Sequence, residues 1–483
     1  MEIKLEDLSS DSLKIGGEWV PSGDGSTFSV EDPGSNETLA TVADATPADA
    51  VAALDAACAV SGSWAATAPR ERGEILRRAF ELVIENRDEL ARLLTLEMGR
   101  PVAESQLEIN YGAEFLRWFS EEAVRSNGRF GTAPAGGADI LTSREPVGPC
   151  LLITPWNFPL AMATRKIAPA IAAGCTIVIK PARETPLTTM AFLRILERAG
   201  LPEGVLNLVT TTDPRGVIMP LFEDERLRKV SFTGSTPVGK ALVEAASKNL
   251  LRTSMELGGN APLIVFDDAD IEQAVQGAAL AKMRNAGQSC VAANRIFVDA
   301  SVVDEFTEGL AAAIDSMKVA HGLEPESQVG PLIGQSAVDE MGALVGDAVA
   351  KGAQSVGGEI ELPDRGFFFT PTVLAEVDDS MTLAQEEIFG PIAAIQSFSD
   401  EDEVIARANR TSSGLASYIF TKDLDRARRA AKALEVGMVG INRGLISDAS
   451  APFGGIKTSG FGREGGHEGM AEYESIKYVS INH

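Results

Sequence analysis

The 483-residue chain predicts an α/β fold built from two sheet-centred parts, and three observations carry that reading. Residues 45–125 hold helical periodicity, seen in PADAVAALDAACAV and RERGEILRRAFELVIENRDELARLLTLEMG, where apolar side chains return every three or four positions. From about residue 147 short apolar runs alternate with amphipathic stretches: CLLITP, TIVIKP, LTTMAFLRILERAG, VLNLVT, KVSFTG and PVGKALVEAASK. Strand-length runs separated by helix-length ones build a parallel sheet covered by helices. After Gly259 a second series opens with APLIVFDDADIEQAVQGAALAKM and runs through FFFTPTVL, AAIQSF, LASYIF and MVGIN, so a second domain begins near there.

Two segments break the pattern. NGRFGTAPAGGADILTSREP, about 127–146, is rich in glycine and extended-type residues, and the C-terminal YESIKYVSINH alternates like a strand. Together they predict an arm that pairs with another subunit, or a surface hairpin on a monomer.

Composition narrows the function. With 45% hydrophobic residues the chain can bury more than one core. A formal charge of −26, from 43 basic and 69 acidic residues, argues against nucleic-acid binding through counterion release. No uncharged stretch is long enough to span a bilayer, and MEIKLEDLSSDSLK lacks the basic start and apolar core of an export signal, so a cytoplasmic protein with no membrane partner is expected. Cys58, Cys150, Cys175 and Cys290 are widely spaced without a CxxC or Cys/His cluster, which suggests neither a disulfide framework nor a metal site. Small molecules remain as partners, and an anionic one would need locally placed basic groups.

The chemistry-bearing residues follow from position. Cys290, in RNAGQSC, falls on a loop after a helix that Asn285 and Gly287 should stop. Any one of the four cysteines, taken alone, reads as packing. Of three histidines, His467 and His483 lie at the C-terminal end, leaving little from which to build a Cys/His pair. A carboxylate is the remaining base. Glu256, in SMELGG, follows a short apolar stretch and precedes two glycines, and burial would lift its pKa toward neutrality, although such a Glu also reads as an exposed strand end. Asn157, in ITPWNFP, sits between prolines at a strand end, where its amide and the Cys290 N–H could share an oxyanion. No GxGxxG follows the first strand of the sheet. Instead Lys180 and Arg183 end the next strand in IKPARETP, and Gly234 and Ser235 precede a helix whose N-terminus favours phosphate.

In order and over nearly the whole chain, PWNFP, KPARETP, FTGSTPVG, MELGGNAP, RNAGQSC, EEIFGP and PFGGIKTSGFGRE resemble the aldehyde dehydrogenase superfamily. KMRNAGQSCVAANR, VGINRGLIS and SGFGREGG are most similar to its succinate-semialdehyde dehydrogenases. The resemblance implies that fold: a Rossmann-like cofactor-binding domain (1–125 and 147–256), an α/β catalytic domain (257–465) and a β oligomerisation arm (126–146 and 466–483) in a homodimer or homotetramer. It implies Cys290 as nucleophile, Asn157 as oxyanion donor and Glu256 as the base for deacylation. It implies a nicotinamide dinucleotide held by Trp156, Asn157, Lys180, Pro181, Ala182, Arg183, Gly234, Ser235, Leu257, Glu387 and Phe389. Arg165, Arg284 and Ser447 match the subfamily's pocket for a distal carboxylate, which paired guanidinium donors suit.

Three departures stand out. Arg183 occupies the position where NAD-preferring relatives commonly carry a ribose-binding Glu, which favours NADP, while neighbouring Glu184 leaves NAD possible. Ala292 replaces a second cysteine that some relatives carry beyond the nucleophile, so the redox switch it permits is missing. TTTDPRGV lacks a first phosphate-side glycine, leaving Gly216 as a partial match. Rival readings are glutarate semialdehyde or another aldehyde as substrate, a coenzyme A-acylating relative, and a catalytically silent binding protein of the same fold.

Overall fold

The computed structural model describes residues 10–358 and 360–483. Residues 1–9, which carry most of the stretch read for an export signal, lie outside the described residues. Two hairpins open the described chain, β1 (Leu13–Ile15) with β2 (Glu18–Val20) and β3 (Thr27–Glu31) with β4 (Thr38–Ala43). The periodic region forms α1 (Pro47–Ala66), α2 (Pro69–Glu85), α3 (Arg87–Met98) and α4 (Val102–Glu122). Local chemistry sets their ends. Thr46 and Asp49 form a capping box before α1, and Gly99, at φ 94°, stops α3 in the left-handed region that glycine enters without strain. Among the described residues no single helix is long and apolar enough to cross a membrane.

After β5 (Arg129–Thr132) and β6 (Ala138–Pro146) comes the alternating series. It runs β7 (Cys150–Ile153), α5 (Pro159–Ala173), β8 (Ile177–Lys180), α6 (Pro186–Arg198), β9 (Leu206–Leu208), α7 (Pro214–Phe222), β10 (Lys229–Thr233), α8 (Thr236–Ala246) and β11 (Arg252–Glu256). The strands are apolar on both faces because both are covered. Leu152, Ile177 and Ile179 pack into one core while Leu151, Ile153 and Val178 pack into another. The parallel strands lie in the order β9-β8-β7-β10-β11, so the chain winds outward to β9 and returns to the other side of β7. That reversal leaves a crevice at the carboxyl ends of β7 and β10, where ligands of open α/β sheets bind.

The second sheet starts four residues after β11, with β12 (Ala261–Val265), α9 (Ile271–Met283) and β13 (Ala293–Asp299) at its centre. It is flanked by the strands Ile392–Phe398 and Ala416–Phe420, both parallel to their neighbours. Two stretches lie elsewhere than the sequence reading put them. Gly460–Phe461, read into 257–465, pairs antiparallel with β11 and so closes the first sheet. The helix Gly466–Ala471, read into the arm, belongs with the first core, where Met470 and Tyr473 are buried, because its apolar side chains have α4 and α5 to pack against. The strand Glu474–Asn482 pairs with β6 over nine residues, and β5 completes a three-stranded sheet that exposes Phe130, Ile476 and Tyr478.

Candidate active site

A cavity of about 340 Å³ lies at the crevice. Trp156 and Asn157 reach it from the β7–α5 turn, Gly234 and Ser235 from the β10–α8 turn, Glu256 and Leu257 from the end of β11. The second half of the chain contributes Arg284, Cys290, Glu387, Phe389 and Ser447, and α5 supplies Arg165. Residues as far apart in sequence as Trp156 and Ser447 therefore share one wall.

Cys290 is presented by a strained turn. α9 ends at Met283, and Asn285, Ala286 and Gly287 then follow with φ of 55°, 51° and 74°. Left-handed backbone costs a non-glycine residue about 1–2 kcal/mol, which the surrounding contacts must offset. Close approach fixes the other side of the loop: a Cβ on Gly259 would stand 2.3 Å from the Cys290 carbonyl oxygen. The thiol borders the cavity, yet burial pushes it up to about 12, with Arg165 opposing and the carboxylates of Glu387 and Glu256 adding to the rise.

Asn157 is oriented by its own amide. Its Nδ2 donates to the Gln288 carbonyl at 3.0 Å, which leaves a second N–H on the same nitrogen for the cavity. The Cys290 backbone N–H has no acceptor among the described residues. Two donors are thus available for an oxyanion. Glu256 is buried, neither carboxyl oxygen has a hydrogen-bond partner, and Oε1 lies where a Cβ on Gly454 would be, at 2.9 Å. Burial raises its pKa well above the usual carboxylate range and the nearby Glu464 raises it further, against Arg165, Lys166 and Arg463.

The two arginines differ. Arg165 is fully buried, ion-paired with Glu464 and stacked over Phe453 at 4.2 Å, with one terminal nitrogen, Nη2, left without a partner. Arg284 is half-buried, lies over Phe158 at 5.2 Å, and has no carboxylate within ion-pair distance among the described residues. Ser447 lines the same cavity, as does Tyr111, whose buried hydroxyl lies beside Arg165 and Ser447 and feels the charges of Arg165 and Arg284.

The residues expected around a dinucleotide divide into two groups. Trp156 and Phe389 meet edge to face at 5.6 Å, and Glu387 accepts from the Gly259 N–H at 3.1 Å, its pKa pushed up to about 7 by burial. α8 begins at Ser235 without a side-chain cap, so its first N–H groups are open to an anion. Lys180 at the end of β8, and Pro181, Ala182 and Arg183 on the loop after it, lie outside the cavity wall, and the loop is joined to it where Thr185 Oγ1 donates to the Trp156 carbonyl at 3.2 Å. Lys180, Pro181 and Ala182 are buried, and Arg183 is exposed and paired with Glu184 at 3.0 Å. Gly216 offers no free donor, since its N–H is committed to Asp213 at 2.9 Å as the cap of α7.

Sequence reasoning missed Tyr111, Phe158, Phe453 and Glu464 at the site. The spacing Glu104, Glu108, Tyr111 on α4 was a usable signal, because it puts polar groups on one helix face. Glu464 lies in SGFGRE and carried no local signal at all.

A model of the aldehyde dehydrogenase family matches residues 19–479. A succinate-semialdehyde dehydrogenase of Paenarthrobacter nicotinovorans is 57% identical, covering 92% of this chain and 98% of its own. A glutarate-semialdehyde dehydrogenase of Pseudomonas putida is 47% identical over all of both chains. Among solved structures, an NADP-dependent enzyme of Escherichia coli matches with a TM-score of 0.97 at 44% identity, covering 99% of each chain.

The geometry fixes two outcomes. Below a pKa of about 12 the thiolate share rises tenfold per pH unit, so iodoacetamide labelling of Cys290 in the cofactor-free protein, followed by peptide mass spectrometry, should climb from pH 7 to 10 without a plateau. Gly259→Ala should displace the Cys290 loop and lower kcat on the order of 100-fold with the fold retained by circular dichroism.

Proposed function

The chain belongs to the aldehyde dehydrogenase family, and from that premise we propose that it oxidises succinate semialdehyde to succinate with NADP, or NAD, as hydride acceptor. One observation carries the substrate assignment: Arg284, which has no carboxylate within ion-pair distance among the described residues, shares a cavity with the thiol of Cys290, the Tyr111 hydroxyl, Arg165 and Ser447. Such a set binds a carboxylate while the thiol meets the aldehyde at the other end. The 57% identity to a succinate-semialdehyde dehydrogenase supports it. Glutarate semialdehyde is the second reading, favoured by the relative at 47%, since one methylene changes pocket binding by only about 1–3 kcal/mol.

Cys290 loses its proton to solvent and its sulfur attacks the aldehyde carbon, giving a thiohemiacetal whose oxyanion is held by the second Asn157 N–H and the Cys290 N–H. The bound nicotinamide dinucleotide supplies the acceptor for the hydride that leaves this carbon. The residue is then a thioester on Cys290. Glu256 in its anionic form takes a proton from water, the hydroxide attacks the acyl carbon, and the acid leaves as the thiol re-forms. Because burial raises the Glu256 pKa well above the usual carboxylate range and the base is the anion, deacylation should rise with pH above that range.

Lys180, Gly234, Ser235 and Glu387 would hold the dinucleotide, on the open N-terminus of α8 and the loop after β8. Arg183 would meet a 2′-phosphate, and its pairing with Glu184 supports this by making that carboxylate a poorer ribose acceptor. The arm sheet, with Phe130, Ile476 and Tyr478 exposed, would pair subunits into a homodimer or homotetramer.

Initial rates with succinate semialdehyde, glutarate semialdehyde and propanal, each with NADP and NAD and without coenzyme A, test these assignments together. Succinate semialdehyde with NADP should be fastest and release free acid; faster turnover of propanal would remove the carboxylate pocket. Arg284→Met should raise KM for the semialdehyde by roughly 10- to 150-fold, the worth of a charged hydrogen bond, and leave propanal nearly unchanged. Ile476→Glu with Tyr478→Glu should reduce the mass measured by light scattering toward that of one 51.0 kDa chain.

A further inference from the structure

The Asn157 and Cys290 loops come from different sheets, so something must set the distance between them. Hydrogen bonds join them directly. Asn157 Nδ2 donates to the Gln288 carbonyl at 3.0 Å, and Asn285 Nδ2 donates to the same carbonyl and to the Asn157 carbonyl, each at 3.1 Å. One helix braces both. Glu104 and Glu108 lie one turn apart on α4, and Arg100 stands just before its start. Glu104 Oε2 accepts from the Asn285 backbone N–H at 2.8 Å, in the strained turn before Cys290. Glu108 Oε1 accepts from the N–H groups of Leu160 and Ala161 at 2.9 and 3.1 Å, in the first turn of α5 just after Asn157. Arg100 donates to the Asn157 carbonyl, pairs with Glu108 at 2.6 Å and stacks over Phe158 at 4.4 Å.

We propose that Arg100, Glu104 and Glu108 are positioning residues that fix the Asn157 amide against the Cys290 N–H and so set the oxyanion hole. None of the three lines the cavity, so they act through main chain. With the Asn157 backbone held by Arg100 and one amide N–H held by Gln288, the direction of the second N–H is determined, because the two hydrogens share the amide plane. Arg100 and Glu108 are both buried and neutralise each other, so their cost is incurred on folding and not during turnover. The Phe158 ring meets both the Arg100 and the Arg284 guanidinium, at 4.4 and 5.2 Å from its centre, which extends the same brace toward the carboxylate pocket.

The inference rests on the oxyanion role proposed for Asn157, and the oxyanion hole serves every aldehyde. Single-turnover acylation is therefore measured with both propanal and succinate semialdehyde, alongside KM and the dissociation constant of the oxidised cofactor by fluorescence. Glu104→Leu should slow acylation on the order of 100-fold for both aldehydes, the effect of a misplacement near 1 Å, with KM and cofactor affinity held within about twofold. Glu104→Gln keeps an acceptor for the Asn285 N–H and should restore the rate to within about threefold. The double change Arg100→Met with Glu108→Met, which leaves no orphan charge, should repeat the Glu104→Leu result; if it does not fold, the Glu104 pair decides. Unchanged acylation in Glu104→Leu, or a loss matched by lost cofactor binding, overturns the proposal. An unmodified protein that prefers propanal would defeat the substrate reading and leave this test intact.

Discussion

A buried ion cluster joins the two ends of this molecule. Arg165 and Lys166, adjacent on α5, both pair with Glu464 from the segment that returns after the second sheet, and Lys166 also donates to Ser231 of β10 at 3.0 Å. All are withdrawn from water, and removing one member of such a cluster leaves an uncompensated charge at a cost of about 3–5 kcal/mol. That penalty holds the returning strand Gly460–Phe461 on the edge of the first sheet, and with it the wall of the cavity. It also decides what Arg165 can do. Part of its charge is spent on Glu464 and part acts on Glu256, whereas Arg284 has no carboxylate within ion-pair distance among the described residues.

Low polarity sets the resting state of the site. Burial raises both the Cys290 thiol and the Glu256 carboxyl, so the charged form of each is disfavoured and depends on the groups around it. A nicotinamide ring, cationic when oxidised, would favour the thiolate, and Arg165 and Lys166 help the Glu256 carboxyl to ionise.

The overall charge of −26 opposes an anionic substrate, yet it acts through solvent and fades over about 10 Å at 0.1 M salt. Inside the cavity Arg284 and Arg165 stand much closer than that and are far less screened. Local placement wins over net charge, and the acidic surface serves solubility.

The sequence alone determined the alternation of strands and helices, the stops at Asn285 and Gly287, and the motif residues Cys290, Glu256 and Asn157, because each depends on neighbours within a few positions. Local periodicity and turn chemistry are short-range and are written in order along the chain. Only tertiary structure decided that Gly460–Phe461 joins the first sheet, that residues 466–473 pack in the first core, and that Gly216 has no free N–H. It alone separated Arg165 from Arg284, since two arginines in matching motifs look alike until Glu464, 299 positions further on, pairs with one of them. The α4 spacing put Glu104, Glu108 and Tyr111 on one helix face, yet what they and Arg100 hold was hidden for the same reason. A buried polar group is defined by the partners that folding brings to it, and those partners lie on other elements.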